Sequence, residues 1–498
     1  MKKYRLELVL FIIDAIYMII ELIASRLLSP YFGNSNLVWT SIIGIILLSN
    51  SIGNFIGGKI ADKDCSKNNL KLILKVSGGI VLLIPFIQEF ILVGIASIFS
   101  SIKIGAIISA TLLFFIPSML FGFFSPIIIK LKMNDLENAG QTSGRLYAIA
   151  TLGGLTGTFF GGFCLLPAFG SNQLLFMLAA ILFLLVLVVG EINIKKDLIF
   201  VIISVILSIS FFYIFNSINT LQGAAVISGS YNSIVSYDTQ YGKVCIYNTE
   251  TENGSIRTLL VGKGHESATF IDKDKCNELV YEYTKYYDLM FKSSKEIKNT
   301  LMIGGAGYSY PKYYISKYPD KSMDVVEIDE DITKIAKEYF YLDKLIEDYN
   351  LEKNNRLGLI AEDGRTYLNK NTKKYDAILN DAFAGETPAA TLTTFEAAKK
   401  VYNSLTENGL YLSNVISSAE GENSKFIKAE VNTLKQVFKN VYVVPCSDYN
   451  NYEIVQNNMV IATDATLNLE NTVDLNILDN TIILTDNYCP VDSLIPNI

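Results

Sequence analysis

The sequence predicts a multi-pass α-helical membrane domain, followed by a small β-hairpin unit and then an α/β doubly wound domain. Three observations support this order. Hydrophobic residues make up 50% of the 498 positions, apolar runs crowd the first 215, and strand-like and helix-like segments alternate beyond residue 276. We therefore divide the chain into residues 1–215, 216–275 and 276–498.

The first of these parts contains seven apolar runs long enough to cross a bilayer as a helix, which requires about 20 residues. They lie near residues 6–28, 36–58, 72–87, 104–130, 144–167, 173–190 and 197–215. The first run is too long, and too closely followed by others, to be a cleaved signal peptide. We expect a multi-pass protein of the cell membrane, in contact with the lipid bilayer.

Polar and small residues within these runs need an explanation. Asp14 and Glu21 either face neighbouring helices or line a transport path, because acids in membrane helices are costly unless they are accommodated. Glycine pairs such as Gly153–Gly154 are typical of helices that pack closely in lipid.

The side of the membrane on which the C-terminal half lies depends on the number of spans. Basic residues cluster at the N-terminus and between alternate runs, which predicts a cytoplasmic N-terminus. Seven spans then leave the C-terminal half outside the cell. A separate span over residues 88–102 would make the number even and return that half to the cytoplasm, so the sequence leaves its side open.

Charge and composition exclude two classes of partner. The formal net charge is −7, and no sustained basic stripe is available for a nucleic-acid backbone. The six cysteines are far apart and His265 is the only histidine, so we expect no metal site. His265 is either an ordinary polar loop residue or a part of the pocket discussed below.

Beyond residue 216 the pattern changes to short segments. Residues 233–238, 243–248 and 255–262 are rich in β-branched and aromatic residues and predict the hairpin unit. A helix is predicted over residues 276–291. Apolar strands and helices then alternate, which predicts a parallel sheet covered on both faces. Two late strands near residues 441–445 and 457–463 are expected to pair at one edge.

The first strand of this sheet runs into a glycine-rich loop containing Gly304, Gly305 and Gly307. Missing side chains let backbone N–H groups approach a bound nucleotide closely. A dinucleotide fingerprint G-x-G-x-x-G would need a further glycine where Tyr310 stands, so the loop disfavours NAD.

Carboxylates follow the next three strands. Glu327 ends one strand, Asp363 precedes Gly364 after another, and Asp381 follows residues 375–380. Ligands of doubly wound sheets bind outside the carboxyl ends of the strands, so these acids are expected to converge on one crevice. The alternative is that they are ordinary helix N-caps.

These motifs resemble the spermidine synthase family of aminopropyltransferases, whose core has the fold of S-adenosylmethionine-dependent methyltransferases. The resemblance covers residues 229–464 through SYNSI, IGGAGYS, VVEID, EDGRTYL and YDAILNDAF. The preceding half is similar to the multi-pass domain of fused bacterial members, through ELIASRLLSPYFG, VWTSIIG, GGKIAD and GRLYAIATLGGLTGTFFGG.

The resemblance implies a function and roles for single residues. Decarboxylated S-adenosylmethionine would be the co-substrate, with no prosthetic group, and putrescine or a related amine the acceptor. Glu327 would bind the ribose, Asp363 the adenine, and Asp381 would be catalytic. Tyr231 and Asn232 would contact the substrate. A homodimer is also implied.

Departures from the family pattern leave two other functions open. Soluble members carry an aspartate, where Gly307 stands, that binds the aminopropyl ammonium, and Ala384 replaces a second acid. Glu386 either replaces a lost acid or is a solvated loop charge. The first alternative is a methyltransferase-like enzyme using intact S-adenosylmethionine. The second is a transporter or sensor with a nucleoside-binding regulatory domain.

Overall fold

The structure is a computed structural model of the whole chain. It describes residues 4–32, 36–99, 101–133, 139–190, 194–228, 233–239, 241–262, 264–384 and 387–496. The chain divides into two compact units, Met1–Cys245 and Ile246–Ile498. The predicted division into three parts, with bounds at residues 215 and 275, stays a prediction.

The first unit is helical. Its α-helices are α1 (Arg5–Phe32), α2 (Asn36–Lys63), α3 (Lys67–Ile98), α4 (Ile102–Gly122), α5 (Phe124–Lys132), α6 (Ala139–Phe160), α7 (Leu166–Ala168), α8 (Ser171–Val188) and α9 (Ile194–Ser228). A π-helical turn, Gly161–Leu165, joins α6 to α7. The strand β1 (Ser233–Asp238) follows α9.

Among the described residues of this unit, seven helical segments are long and apolar enough to cross a membrane. The prediction of seven such segments is confirmed. The alternative of a separate span over residues 88–102 is wrong, because α3 runs without a break from Lys67 to Ile98.

Glycines bring helices α1 and α6 into backbone contact. A methyl group on Gly153 would overlap the carbonyl oxygen of Phe11, and one on Gly157 would overlap that of Ala15. These glycines are four residues apart and therefore share one face of α6. Close approach of this kind is how helices gain packing energy in lipid, where no hydrophobic effect drives them together.

Ion pairs join helix ends of the first unit. The Lys132 ammonium lies 2.9 Å from a Glu7 oxygen, which links the end of α5 to the first turn of α1. Lys71 and Lys75, near the start of α3, contact the two oxygens of Asp197 in the first turn of α9 at 3.0 and 2.7 Å. These ion pairs therefore link the end of α5 to the start of α1 and the start of α3 to the start of α9.

The second unit begins within strand β2 (Lys243–Thr251) of a small sheet. Strands β2, β3 (Gly254–Val261) and β4 (Gly264–Phe270) are successive neighbours, and β3 and β4 pair antiparallel. Leu260 pairs with His265 and Leu259 with Ser267, so Glu266 is the extra residue of a β-bulge. A separate unit over residues 216–275 stays a prediction.

The predicted doubly wound domain is confirmed by a seven-stranded sheet. Its strands are β5 (Asn299–Ile303), β6 (Ser322–Glu327), β7 (Leu357–Ala361), β8 (Tyr375–Asn380), β11 (Leu405–Ser417), β12 (Asn440–Pro445) and β13 (Gln456–Thr463). The spatial order is β12-β13-β11-β8-β5-β6-β7. Neighbours from β11 to β7 run parallel, while β13 is antiparallel to both β11 and β12. The predicted edge pair of late strands is therefore present. Two short strands, β9 (Phe383–Ala384) and β10 (Thr387–Pro388), pair just after β8.

Helices cover both faces of this sheet. They are α10 (Ser309–Lys317), α11 (Glu330–Tyr339), α12 (Leu342–Asp348), α13 (Leu351–Asn354), α14 (Gly364–Lys370), α15 (Phe395–Ser404), α16 (Lys425–Lys435) and α17 (Val491–Leu494). Leu301 of β5 packs in one core cluster with Phe426 of α16. The residue before it, Thr300, points to the other face and bonds the Tyr314 hydroxyl of α10 at 2.9 Å.

One predicted element is different. The helix expected over residues 276–291 is a series of turns followed by a 3₁₀ helix, Glu282–Lys292. Shorter 3₁₀ turns span Ala390–Leu392 and Glu422–Ser424. Tyr283 and Tyr287 lie on this 3₁₀ helix, and Tyr287 is buried.

Candidate active site

A cavity of about 400 Å³ lies in the second unit at the carboxyl end of the sheet. Its walls come from β4, the 3₁₀ helix, the glycine-rich loop, the residues after β8, and strands β11 and β13. Asp381, Gly304 and Gly305 line it, and so does His265 on an exposed part of the wall. The cavity therefore contains the predicted catalytic acid and two of the predicted loop glycines.

Hydrogen bonds from neighbouring elements fix the Asp381 carboxylate. The Asn414 side-chain amide of β11 donates to Oδ1 at 2.9 Å, and the Tyr283 hydroxyl donates to Oδ2 at 3.2 Å. Asn414 is itself held by a bond of 3.0 Å from the Asn457 amide of β13. The backbone N–H of Asp381 donates to the Ile303 carbonyl at 2.8 Å. Each oxygen of the acid thus has a fixed donor.

The environment of Asp381 raises its pKa from 3.8 to about 6. Burial is the main cause, since removing water penalises the charged form. The hydrogen bonds from Asn414 and Tyr283 oppose this and lower the pKa. A carboxylate in this balance is ionised at neutral pH and still has an appreciable affinity for a proton, as a general base requires.

Gly304 allows the glycine-rich loop to pass Asp381. Its φ of +94° lies in the region that favours glycine. A methyl group at this position would overlap the carbonyl oxygen of Asp381. The ends of β5 and β8 can therefore lie side by side only with glycine at position 304.

Glu327, predicted to bind a ribose, holds the loop in this structure. One carboxylate oxygen accepts from the N–H groups of Gly305 and Ala306 at 2.8 and 2.9 Å, and the other from the N–H of Asp329 at 3.1 Å. Burial raises the pKa of Glu327, and the three backbone bonds partly offset the rise. Ala306 and Tyr308 adopt positive φ of 43° and 55°, so the carboxylate stabilises a strained loop.

The other predicted nucleotide-binding residues of the described chain lie outside the cavity lining. Asp363 caps α14, accepting from the Thr366 N–H at 2.8 Å, as the helix-cap alternative expects. A methyl group on Gly364 would lie 2.5 Å from Ile303, so this glycine permits close helix packing. Asp363 and Gly364 nevertheless follow β7, Glu327 is the last residue of β6, and Gly307 follows β5. These three strands are adjacent and share a carboxyl edge.

Tyr231 and Asn232, the predicted substrate-binding pair, and Glu386 lie outside the described residues. Within the described part of the chain, no group of three or more His, Cys, Asp or Glu side chains is arranged to hold a metal ion.

Sequence reasoning misses the three residues that position Asp381. The helix predicted over residues 276–291 does not by itself bring Tyr283 to Asp381. Asn414 interrupts the apolar strand GLYLSNV, and Asn457 precedes the apolar run MVIAT. A polar side chain near the end of an apolar strand is the available signal, because such a residue needs a buried partner.

Comparisons with known proteins agree with the motifs. The spermine/spermidine synthase domain matches residues 284–470. The polyamine aminopropyltransferase of Vibrio vulnificus is 32% identical over 157 residues, which are 31% of this chain and 47% of that protein. That of Clostridioides difficile is 31% identical over 144 residues, which are 28% and 49% of the two chains. This chain thus spans about half the length of these relatives.

One relative is similar over both halves of the chain. Polyamine aminopropyltransferase 2 of Aquifex aeolicus is 24% identical over 419 residues, covering 82% of this chain and 78% of that protein. Among solved structures, a probable spermidine synthase from Corynebacterium glutamicum gives a TM-score of 0.40 at 18% identity, over 47% of this chain and 83% of the other. Residues 284–470 are thus similar to the spermine/spermidine synthase domain, and polyamine aminopropyltransferases are relatives of this chain.

Proposed function

We propose that the protein is a membrane-bound polyamine aminopropyltransferase. It would transfer an aminopropyl group from decarboxylated S-adenosylmethionine, as co-substrate, to putrescine or a related amine. The observation that carries this proposal is the Asp381 carboxylate, held by Asn414 and Tyr283 in the wall of the cavity. Asp381 and Asn414 lie in the part of the chain that matches the family domain. No prosthetic group is required.

The reaction is a direct displacement. The lone pair of the acceptor nitrogen forms a bond to the aminopropyl carbon beside the sulfonium, and the carbon–sulfur bond breaks with its electron pair going to sulfur. Methylthioadenosine leaves as a neutral thioether. The acceptor nitrogen must give up one proton, and Asp381 is the residue we assign to accept it. A positioned base of this kind contributes about 10²–10⁴-fold to the rate.

The fixed geometry of Asp381 supports this role. Two donors set the direction of its carboxylate before substrate arrives, so little reorganisation is needed at the moment of reaction. With a pKa of about 6, the acid is ionised when an amine enters at neutral pH. The negative charge also attracts the ammonium form of the acceptor into the cavity.

The nucleoside half of the donor would occupy the carboxyl edge of β5, β6 and β7. We assign the loop N–H groups at Gly304, Gly305 and Gly307 to the donor, Glu327 to its ribose hydroxyls, and Asp363 with Gly364 to its adenine. Glu327 already accepts N–H groups of the loop. Ribose binding would therefore be coupled to the position of the loop. By resemblance, Tyr231 and Asn232 would contact the substrate.

We also infer that the helical unit lies in the cell membrane. Large apolar side chains stand exposed on its surface: Phe55 is 66% exposed, Phe90 82%, Phe163 72% and Ile199 58%. Such a surface is stable against lipid and unfavourable in water. Assembly as a homodimer is implied by the resemblance alone.

A product assay on the full chain in detergent tests the proposed function. Decarboxylated S-adenosylmethionine and putrescine should give spermidine and methylthioadenosine in equal amounts, identified by mass. Methylated products from intact S-adenosylmethionine would favour the methyltransferase alternative. Nucleoside binding without any product from either donor would favour the transporter or sensor.

A further inference from the structure

The proposed substrates bring positive charge into the cavity, and the cavity must offset it. The donor carries a sulfonium and a primary ammonium, and the acceptor is a diamine. Three carboxylates line the cavity among the described residues, Glu266, Glu282 and Asp381. Which of them binds the donor's ammonium decides how the substrate is oriented.

The glycine-rich loop cannot supply a carboxylate on the side that faces β4. A methyl group on Gly307 would lie 2.7 Å from Oγ of Ser267 on β4. Ser267 in turn shares a hydrogen bond of 2.7 Å with Ser309, whose hydroxyl also donates to the Ala268 carbonyl at 2.8 Å. Strand β4 therefore occupies the space that a side chain at position 307 would need.

The same strand carries its own carboxylate into the cavity. Glu266 is the extra residue of the β-bulge between β3 and β4, directly before Ser267. A bulge re-aims a side chain relative to a regular strand, and bulges are frequent next to active sites. Glu266 is partly buried and lines the cavity, whereas its neighbour His265 is exposed.

Exposure separates Glu282 from Glu266, and an assigned role separates Asp381 from it. The Glu282 side chain is 63% exposed and pairs with Lys285 at 2.6 Å, so its charge is solvated and largely neutralised. Asp381 is the acid assigned to the acceptor nitrogen. Glu266 is the third carboxylate, and it lines the same cavity as the glycine-rich loop.

Tyr281 and Tyr283 place aromatic rings beside these acids. Both line the cavity, and their rings stack with centroids 6.2 Å apart. Burial raises the pKa of Tyr283 well above its ordinary value, and the charges of Asp381 and Glu266 add to that rise, so both acids act on one phenol. Two carboxylates and two aromatic rings form a setting suited to alkylammonium groups.

We propose that Glu266 binds a primary alkylammonium group of the substrate, in the position that the glycine-rich loop leaves without an acid. The inference rests on the proposed function. Two sources share this chemistry: the aminopropyl ammonium of the donor and an ammonium of the acceptor. Glu266 directly precedes Ser267, which contacts the glycine-rich loop at Gly307. This position favours the aminopropyl ammonium of the donor.

Paired ligands test the proposal on the full chain in detergent. Decarboxylated S-adenosylmethionine carries the aminopropyl ammonium, and methylthioadenosine lacks it. Glu266→Gln should weaken binding of the former about 10-fold or more and leave binding of the latter unchanged. Glu266→Asp should restore part of the loss. Glu250→Gln is the matched control, since Glu250 is an exposed glutamate on β2 of the same small sheet.

The outcomes distinguish failure of the Glu266 assignment from failure of the proposed function. Unchanged donor binding with a raised KM for putrescine would assign Glu266 to the acceptor's ammonium. Equal binding of both nucleosides to wild type and Glu266→Gln, with an unchanged KM for putrescine, would overturn the assignment and leave the proposed function standing. A wild type that binds neither nucleoside would overturn both. Retained methylthioadenosine binding shows that the variant is folded.

Discussion

The side-chain amide of Asn414 donates a hydrogen bond of 2.9 Å to the Asp381 carboxylate. This bond joins the residue after β8 to the neighbouring strand β11, and Asn457 on β13 extends it across a third strand. The candidate base is therefore positioned by the sheet and not by a mobile loop, which gives each of its partners a testable role.

Replacement of Asp381 by Asn removes the proton acceptor and little else. We expect kcat to fall about 10²–10⁴-fold while nucleoside binding stays within a few-fold of wild type, because the shape of the side chain is kept. Asp376→Asn is the control, since Asp376 follows Tyr375 at the opposite end of β8 and accepts from the N–H groups of Lys298 and Asn299. Unreduced turnover in Asp381→Asn would remove Asp381 from the mechanism.

The Asn414 bond should be visible in the pH dependence. Because this bond lowers the pKa of Asp381, Asn414→Ala should raise it. In wild type kcat/KM should fall as the pH drops through about 6, and in the variant the fall should begin at higher pH. Activity at alkaline pH should approach that of wild type if the effect is on the pKa. An unchanged acid limb with uniformly lower activity would indicate a structural role only.

The raised pKa of Asp381 also affects stability. The folded chain binds this proton more tightly than the unfolded chain, so the contribution of Asp381 to stability declines as pH rises from about 4 to above 6. Asp381→Asn lacks this decline. The free energy of unfolding of the variant, relative to that of wild type, should therefore increase by roughly 3 kcal/mol as the pH rises from about 4 to about 8.

Asp376 provides a control of opposite sign. Burial alone would raise its pKa, but bonds from Asn299 and Lys298 bring the pKa below its ordinary value. Asp376→Asn should therefore lose stability relative to wild type as the pH rises towards the ordinary carboxyl value of 3.8, and the difference should stay constant at higher pH. Parallel pH trends in Asp376→Asn and Asp381→Asn would contradict the assignment of Asp381.

Gly304→Ala should damage both stability and activity. Its positive φ costs an alanine about 1–2 kcal/mol, and its methyl group would also displace the Asp381 backbone. Gly421→Ala isolates the first effect, because Gly421 has φ of +75° but nothing within 4 Å of the added methyl group. Gly304→Ala should lose more stability than Gly421→Ala and, unlike it, most of the activity. Equal losses in both would show that the contact with Asp381 is unimportant.

The positive-inside rule predicts which ends of the helices face the cytoplasm. Lys71 and Lys75 near the start of α3 pair with Asp197 at the start of α9, so a reporter inserted between α2 and α3 should be cytoplasmic. A reporter between α3 and α4 should lie on the other side. The same side for both insertions would mean that α3 does not cross the membrane.

Much of the fold can be predicted from the sequence. Apolar runs and strand–helix alternation are local patterns, so they indicate the helices and strands directly. The carboxyl ends of parallel strands must share an edge, and this rule alone places Gly304, Gly305 and Asp381 together. The edge pairing of β12 and β13 follows from the same local patterns.

The remaining parts of the site depend on non-local geometry. Asn414 contacts Asp381 because β11 lies next to β8, and Tyr283 contacts it from a 3₁₀ helix 98 residues earlier in the chain. Glu266 enters the cavity through a bulge that alternation cannot reveal. Asp363 matches the nucleotide-binding pattern and also serves as a helix N-cap, and sequence alone does not separate the two roles.

The most direct measurement is calorimetric titration of the full chain with decarboxylated and with intact S-adenosylmethionine, followed by addition of putrescine and product analysis. The account predicts tighter binding of the decarboxylated form and transfer of its aminopropyl group, with methylthioadenosine released in equal amount. Preference for the intact form, or binding without transfer, would contradict it and would assign the cavity of Asp381 to another reaction.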